Sequence, residues 1–345
     1  MARNIYDLFN EKKYGVDYLV EGVEVVDAEP YESLTEAVEA LDRITMENAN
    51  EMMEMKAAFY LEELVIENMI FNDFDENKIE SVLEGAAKDK VKALKQKIMG
   101  WWQKIKQWFA STFAAVINHF KSGEELVRKY GNEIPAAMKS CKAKVKMNKY
   151  RDLDQAWGKA VNMTTAIKAA GQNGDKEASK NAVLAAVGAD DKKDVAKKVK
   201  ELFVEKEKEE QTVSEIGAEQ AIKYAGNKKI ILDGLKKTQK DIDQDFKNIL
   251  SQMKEERKDT KGEERDSLSD KVDNFQFAIG VKNTVLSTSI GIVKRACSDY
   301  TAVIRKALSP KSKRHEEGEG EEPAAEPQNE SLSLSGVEFD DDFEW

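Results

Sequence analysis

The residues that come closest to a metal site lie between two predicted long helices. Positions 1, 3, 5 and 12 of a calcium-binding EF-hand loop are occupied by Asp73, Asp75, Asn77 and Glu84. Position 6 is Lys78, whereas the sharp turn of such a loop requires glycine. The segment therefore predicts a helix cap at Asp73 or Asp75, and calcium binding is the less favoured alternative.

The sequence contains no other pattern that indicates catalysis or metal binding. Its two histidines, His119 and His315, fall on a helix flank and in the C-terminal tail, and its two cysteines have no suggestive histidine partner. There is no glycine-rich phosphate loop and no serine nucleophile elbow. Two cysteines also define no disulfide framework, which favours a reducing compartment. We predict a protein that is not an enzyme and uses no cofactor or metal.

A broad apolar face on the second predicted long helix carries three of the five tryptophans. Lysines border this face, and their methylenes can lie along it while the ammonium groups stay in water. The pattern leaves three uses open: packing against a partner helix in a core, contact with a membrane surface, and stacking on nucleic acid. The proposed contact residues are Trp101, Trp102, Ile105, Trp108, Phe109 and Phe113.

A basic segment follows this helix and is the better electrostatic candidate for nucleic acid. Its lysines alternate with apolar residues at period two, which indicates a short strand. Because it is lysine-rich and has no base-reading motif, it predicts only non-specific, salt-sensitive contact with DNA. The residues concerned are Lys139, Lys142, Lys144, Lys146, Lys149 and Arg151.

Charge divides the chain into four regions. We assign an acidic N-terminal helical region at 1–84, a basic Trp-rich region at 85–150, a C-terminal helical bundle at 151–310 and an acidic tail at 311–345. Their formal net charges are −16, +11, +3 and −9. Such blocks can attract one another within or between chains, and the basic block can hold an anionic partner.

Hydrophobic periodicity predicts a mostly α fold, a long helical hairpin or bundle with at most a small β element. A capping box at Ser33 and Glu36 begins the first long helix, which runs to residue 70 with polar Asn48 where the apolar stripe lapses. The second helix runs from 76 to 120, and Gly123 begins a short helix that Gly131 and Pro135 end. Further helices are predicted at 152–170, 176–188, 191–224, 227–258 and 264–308, with strand character at 141–147 and 18–26.

The composition of residues 311–345 predicts a disordered acidic tail, since it contains too few apolar residues to offset the entropy of ordering. The chain nevertheless ends in GVEFDDDFEW, where Phe339, Phe343 and Trp345 stand among carboxylates. Aromatic residues are unusual in pure linkers, so a docking peptide and a solvating tail remain open.

Three segments resemble helical virion structural proteins of large tailed bacteriophages, including internal and prohead-core proteins. They are MARNIYDLFNEKKYGVDYLVEG, FNDFDENKIESVLEGAAKDKVKALKQKI and GVEFDDDFEW. The resemblance covers mainly the first 150 residues. It implies self-association, contact with capsid or other virion proteins, and a location in the virion after assembly in the host cytoplasm.

The same region contains a possible processing site. Val82, Leu83 and Glu84, followed by Gly85, are similar to the sites cut by prohead proteases of T4-like phages, with valine where isoleucine or leucine is usual. Cleavage after Glu84 would remove the region of net charge −16 and leave a product of charge +5. Such a product is suited to sharing a capsid with DNA. An uncleaved helix interior is the alternative.

Together these observations predict a non-enzymatic, virion-associated structural protein, an internal or prohead-core component that contacts the capsid, DNA or itself. The alternative is a peripheral membrane-active protein that places the amphipathic helix 88–120 on a bilayer surface.

Overall fold

The protein is described by a computed structural model over residues 29–71, 76–170, 176–256 and 263–309, with the backbone alone described over 59–88, 90, 168–170, 254–256 and 263–269. The prediction of a mostly α fold is confirmed. The described residues form nine α-helices, a short 3-10 helix and two strands. They are α1 (Leu34–Phe71), α2 (Glu76–Tyr130), α3 (Ile134–Ser140), β1 (Lys144–Tyr150), α4 (Leu153–Ala170), α5 (Lys176–Val187), α6 (Asp194–Phe203), β2 (Val204–Thr212), the 3-10 turn Val213–Glu215, α7 (Ala218–Ala225), α8 (Lys229–Glu256) and α9 (Glu263–Leu308).

The first helix begins where its cap predicts. The Glu36 backbone N–H donates to Ser33 Oγ at 3.1 Å, and the Glu36 carboxylate accepts the Glu32 backbone N–H at 2.8 Å. Two backbone donors that the helix cannot satisfy internally therefore find partners in the cap.

Four long helices form a ring in the order α1, α2, α8, α9. Contacting residue numbers rise on one helix as they fall on the other between α1 and α2 and between α9 and α1, so these two pairs are antiparallel. The polar contacts that show this register are Glu47–Lys104 and Glu51–Lys97 between α1 and α2, Trp102–Asp243 between α2 and α8, Asp245–Lys282 between α8 and α9, and Thr35–Lys294, Thr45–Asn283 and Lys56–Asp273 between α9 and α1.

The elements between α2 and α8 pack chiefly against α9, which makes contacts with α3, α4, α5, α6 and α7 as well as with the ring. Buried residues from both parts belong to one hydrophobic cluster that extends from Leu34 to Ala307. Helix α9 is therefore the shared centre of the described structure.

The charged stretch 191–224 was predicted as one helix, and this prediction is wrong. It forms α6, β2, the 3-10 turn and α7, and β2 pairs antiparallel with β1. The sequence VEKEKEEQT consists largely of good helix formers, so local propensity favours a helix. Pairing with the lysine-rich β1 overrides that propensity, and buried Val204 and Val213 anchor the two ends of the strand in the core.

The predicted break at Gly123 is also wrong, because α2 continues through it to Tyr130. The glycine serves a close approach: a Cβ at this position would lie 1.8 Å from the Ala225 carbonyl oxygen. Pro135 lies in the first turn of α3, where its missing N–H removes no intrahelical bond, so it begins a helix and does not end one.

Candidate functional site

The apolar face of α2 lies in the interior of the four-helix ring. Trp101, Ile105, Trp108, Phe109 and Phe113 are each 3% exposed or less. Trp102, the sixth predicted contact residue, is half-buried at the edge of this group. We call these six residues the tryptophan face. In the described conformation they pack against partner helices, and neither lipid nor nucleic acid can reach the five buried members.

Helix α1 covers one side of the tryptophan face. The Trp108 indole N–H donates to the Ala37 backbone carbonyl at 2.5 Å, and the Trp108 and Phe109 rings meet edge to face with centroids 4.8 Å apart. Outside this contact, Lys104 Nζ lies 3.3 Å from Glu47 Oε2 and 3.5 Å from Glu51 Oε1. The acidic helix thus covers Trp108 and pairs with Lys104, a lysine that borders the face.

Helices α8 and α9 cover the other side with aromatic rings. Phe246 meets Trp101 edge to face at 5.3 Å and lies parallel to Trp102 at 6.2 Å between centroids. The Trp102 indole N–H donates to Asp243 Oδ1 at 3.0 Å, and Lys106 Nζ lies 4.0 Å from the centre of the Trp102 ring. Edge-to-face pairs and a cation over an indole each add stabilisation beyond the buried area.

The seam between α1 and α9 is polar. Asn283 Nδ2 donates to Thr45 Oγ1 at 2.8 Å, and Lys294 Nζ donates to Thr35 Oγ1 nearby. Burial raises the pKa of the Asp42 carboxyl, which also accepts a hydrogen bond from Ser287. These hydrogen bonds contribute to the specificity of the seam.

Several buried polar atoms on the ring helices have no hydrogen-bond partner. Among them are Asn48 Nδ2 on α1, Trp101 Nε1 on α2 and Asn283 Oδ1 on α9. A buried polar atom left unpaired costs about 1–3 kcal/mol. Asn48, the residue at which the apolar stripe of α1 lapses, is only 3% exposed. Helix α1 is consequently held less firmly than the length of its stripe suggests.

A fully buried ammonium marks the opposite wall of the ring. Lys282 on α9 is 0% exposed and pairs with Asp245 on α8, whose side chain is 11% exposed. The sequence analysis did not single out either residue. The available signal was a lone lysine in the otherwise uncharged run AIGVKNTVL of α9. A buried pair of this kind is costly to break, and its best-attested use is to fix register.

The predicted nucleic-acid residues lie on β1 and beside it, where most are exposed. Two of the lysines face carboxylates of β2: Lys144 Nζ lies 3.4 Å from Glu210 Oε2, and Lys149 Nζ lies 3.2 Å from Glu205 Oε1. The glutamates of β2 therefore offset part of the positive charge that β1 carries by itself.

The remaining predicted sites are placed only in part. Glu84 and Gly85 belong to the helical backbone of α2, whereas Asp73 and Asp75 lie outside the described residues, as does the predicted disordered tail with Phe339, Phe343 and Trp345. The described residues contain no group of three or more His, Cys, Asp or Glu side chains that could hold a metal ion.

The buried titratable groups are not arranged for nucleophilic chemistry. Burial raises the pKa of the Cys297 thiol to about 12, and the thiol lies 3.0 Å from the Ala225 carbonyl oxygen. The Tyr150 hydroxyl donates to Asp299 Oδ2 at 2.6 Å, and burial raises the pKa of both groups. A protonated thiol is a poor nucleophile, so these contacts are best understood as packing and hydrogen bonding.

No family model matches the chain, and no similar curated protein or solved structure is found. In the part of the chain that the structure describes, no helix combines the length and the apolar character needed to cross a membrane.

Proposed function

We propose that this protein is a non-enzymatic structural component of a phage particle, internal or in the prohead core, and that the tryptophan face of α2 is its contact surface once α1 is displaced. The proposal rests on the way in which α1 covers the tryptophan face. The acidic helix α1 closes one side of this aromatic, lysine-bordered face, and α8 and α9 close the other. The seam of α1 with α9 is polar, and Asn48 of α1 is buried with an unpaired amide nitrogen.

The candidate processing site fits this arrangement. Removal of residues 1–84 would take away all of α1 while leaving the tryptophan face on the remaining part of α2. The formal net charge of the chain would change from −11 to +5. The product would combine positive charge with the part of the aromatic face that α1 had covered, which suits contact with capsid proteins, DNA or a second copy of itself.

Intact mass measurement of the chain in purified phage particles tests the proposal. We expect a species that begins at Gly85, and a Glu84→Gln variant, which keeps a good helix former, should keep its N-terminus. Particles that contain only the uncut chain would remove the processing step, and particles that lack the chain altogether would remove the virion assignment.

A second function, contact with a membrane surface, is favoured by the same lysine-bordered face. Flotation with anionic vesicles tests it on the full chain. The matched control is a Glu47→Cys/Lys104→Cys variant joined by a short bis-maleimide, which ties α1 to α2 and keeps the tryptophans covered. Flotation of the untied chain alone supports membrane contact through this face, and a parent chain that stays with the lipid-free fraction excludes it.

A further inference from the structure

A lysine-lined cleft lies apart from the tryptophan face, between α5, the corner that follows it, and α9. Its volume is about 600 Å³. The side chains that form it include Lys176, Lys180 and Leu184 from α5, Lys192 from the corner and Phe277 from α9. We call it the lysine cleft. Its volume is within the range of sites that enclose a small ligand or a few peptide side chains.

The corner is built to bring Lys192 into this position. Helix α5 ends in a Schellman motif, in which Ala189 N–H donates to the Leu184 carbonyl at 3.1 Å and Gly188 N–H donates to the Ala185 carbonyl at 3.0 Å. Gly188 has a φ of +69°, the left-handed conformation that favours glycine. The chain therefore reverses sharply, and Lys192 Nζ lies 3.9 Å from the point where a Cβ on Gly280 of α9 would be.

Three lysines and two carboxylates line the cleft. Lys176 Nζ lies 2.6 Å from Asp273 Oδ2, Lys56 pairs with the other oxygen of the same carboxylate, and Asp270 also lies near Lys176. Lys180 Nζ lies 5.7 Å from the centre of the Phe277 ring. Lys192 is an exposed residue, and partial desolvation by its neighbours lowers the pKa of its ammonium group.

Two carboxylates also line the cleft, Glu177 and Asp191. Asp191 Oδ1 accepts the Lys192 backbone N–H at 2.5 Å, so that oxygen is turned toward the corner backbone. The cleft thus combines a lysine rim with the apolar surfaces of Leu184 and Phe277. A ligand that matches it carries carboxylates and aromatic rings together, because lysine is a flexible point charge and the apolar surfaces need a partner of their own.

The C-terminus of this chain has that chemistry. Residues 337–345, VEFDDDFEW, alternate three aromatic side chains with five acidic ones. Helix α9 ends at Leu308, and Phe277 lies 31 residues earlier on it, about 47 Å away along the helix. The 28 residues from 309 to 336 can span up to about 95 Å, so the segment can reach the cleft of its own chain.

We propose that the lysine cleft binds the acidic-aromatic segment 337–345 of this protein, with the aromatic rings on Phe277 and Leu184 and the carboxylates beside Lys180 and Lys192. The proposal does not depend on a location in a phage particle. Binding within one chain would hold the tail against the bundle, and binding between chains would link copies head to tail.

Zero-length carbodiimide coupling on the full chain, followed by peptide mass spectrometry, tests the proposal directly. We expect Lys180 or Lys192 to be joined to carboxylates of residues 338–344. Lys240, an exposed lysine on α8, serves as the control. Equal coupling to Lys240 and to the cleft lysines would show simple charge attraction and overturn the proposal. A mixture of isotope-labelled and unlabelled chains separates coupling within one chain from coupling between copies.

A binding measurement keeps the proposal testable if coupling is inefficient. The recipient is the full chain with Phe339→Ser, Phe343→Ser and Trp345→Ser, which retains every carboxylate, and the probe is a fluorescein-labelled GVEFDDDFEW peptide. We expect Lys180→Glu to weaken peptide binding at least tenfold and Lys240→Glu to change it less than twofold, with unchanged far-ultraviolet circular dichroism in both.

Competition identifies the chemistry of the occupant. Inorganic phosphate and a short single-stranded oligonucleotide should displace the peptide only at the ionic strength at which sodium chloride also displaces it. If either one binds the cleft more tightly than the peptide does, the site is a phosphate site and the assignment to residues 337–345 is wrong. Peptide binding that is indifferent to Lys180→Glu would place the tail elsewhere on the surface.

Discussion

Substitution of Gly123 by alanine should destabilise the protein even though the glycine lies inside a helix. A Cβ at this position would lie 1.8 Å from the carbonyl oxygen and 2.7 Å from the carbonyl carbon of Ala225 at the end of α7. Carbon to oxygen contacts normally occur at about 3.3–3.6 Å, so the two backbones would have to separate by about 1.5 Å. The same carbonyl oxygen contacts the Cys297 thiol at 3.0 Å, which links the shift to α9.

Two opposing effects determine the magnitude. Alanine favours a helix interior over glycine by about 1 kcal/mol. Overpacking a well-packed site typically costs about 1–3 kcal/mol, and the upper part of that range applies because the obstacle is backbone and not the end of a flexible side chain. We expect a net loss of about 2 kcal/mol in the free energy of unfolding.

Gly100 provides the matched control in the same helix. A Cβ there would meet nothing within 4 Å, so Gly100→Ala should raise the free energy of unfolding by about 0.5–1 kcal/mol. Urea unfolding followed by circular dichroism measures both variants against the parent. The reasoning is refuted if Gly123→Ala unfolds at the same urea concentration as Gly100→Ala, since the close approach of α2 and α7 would then not exist.

Three further predictions concern charge. Lys282→Met removes the buried partner of Asp245 and should lower the free energy of unfolding by about 3–5 kcal/mol. Lys282→Met combined with Asp245→Leu should recover most of that loss. If urea unfolding shows the same loss for the single and the double variant, the reasoning is contradicted. Burial lowers the pKa of His119 from 6.5, so below pH 6.5 the unfolded chain binds a proton that the folded chain resists. As the pH is lowered from 6.5 to the pKa of the folded state, the free energy of unfolding should therefore fall by at most about 1.4 kcal/mol per pH unit. His119→Gln should remove this contribution to the pH dependence. The double variant Glu205→Gln/Glu210→Gln should lower the free energy of unfolding by at most about 1 kcal/mol per ion pair. It should also raise the affinity for duplex DNA about fivefold at low salt, measured by fluorescence anisotropy. An unchanged affinity would show that β1 does not bind DNA.

The long helices could be predicted because their apolar stripes are continuous and their ends carry clear signals. Ser33 and Glu36 cap α1 as their spacing indicates, and α4, α8 and α9 begin and end within two residues of the predicted bounds. The period-two alternation predicted a short strand at 141–147, and the observed strand, Lys144–Tyr150, lies three residues later. These features depend on neighbours in sequence, so a single sequence contains the information.

The features that failed depend on residues far away in the chain. Strand β2 looks like a helix until its partner β1, about 60 residues earlier, is known. Gly123 looks like a helix end until Ala225 is seen to approach it. The partner of Lys282 could not be inferred, because many carboxylates are spaced along α8 and only the register between α8 and α9 selects Asp245.

The central position of α9 has a consequence for the order of synthesis. The helix ends at Leu308, yet it contacts α1 and the elements between α2 and α8, so the ring cannot close until α9 itself has been made. Between Tyr130, the end of α2, and Leu308 lie 178 residues. At about 5–20 residues per second their translation takes roughly 9–36 s. During that interval the nascent α1–α2 hairpin has no α9 to complete its core, which gives a chaperone or a neighbouring nascent chain time to engage its tryptophans.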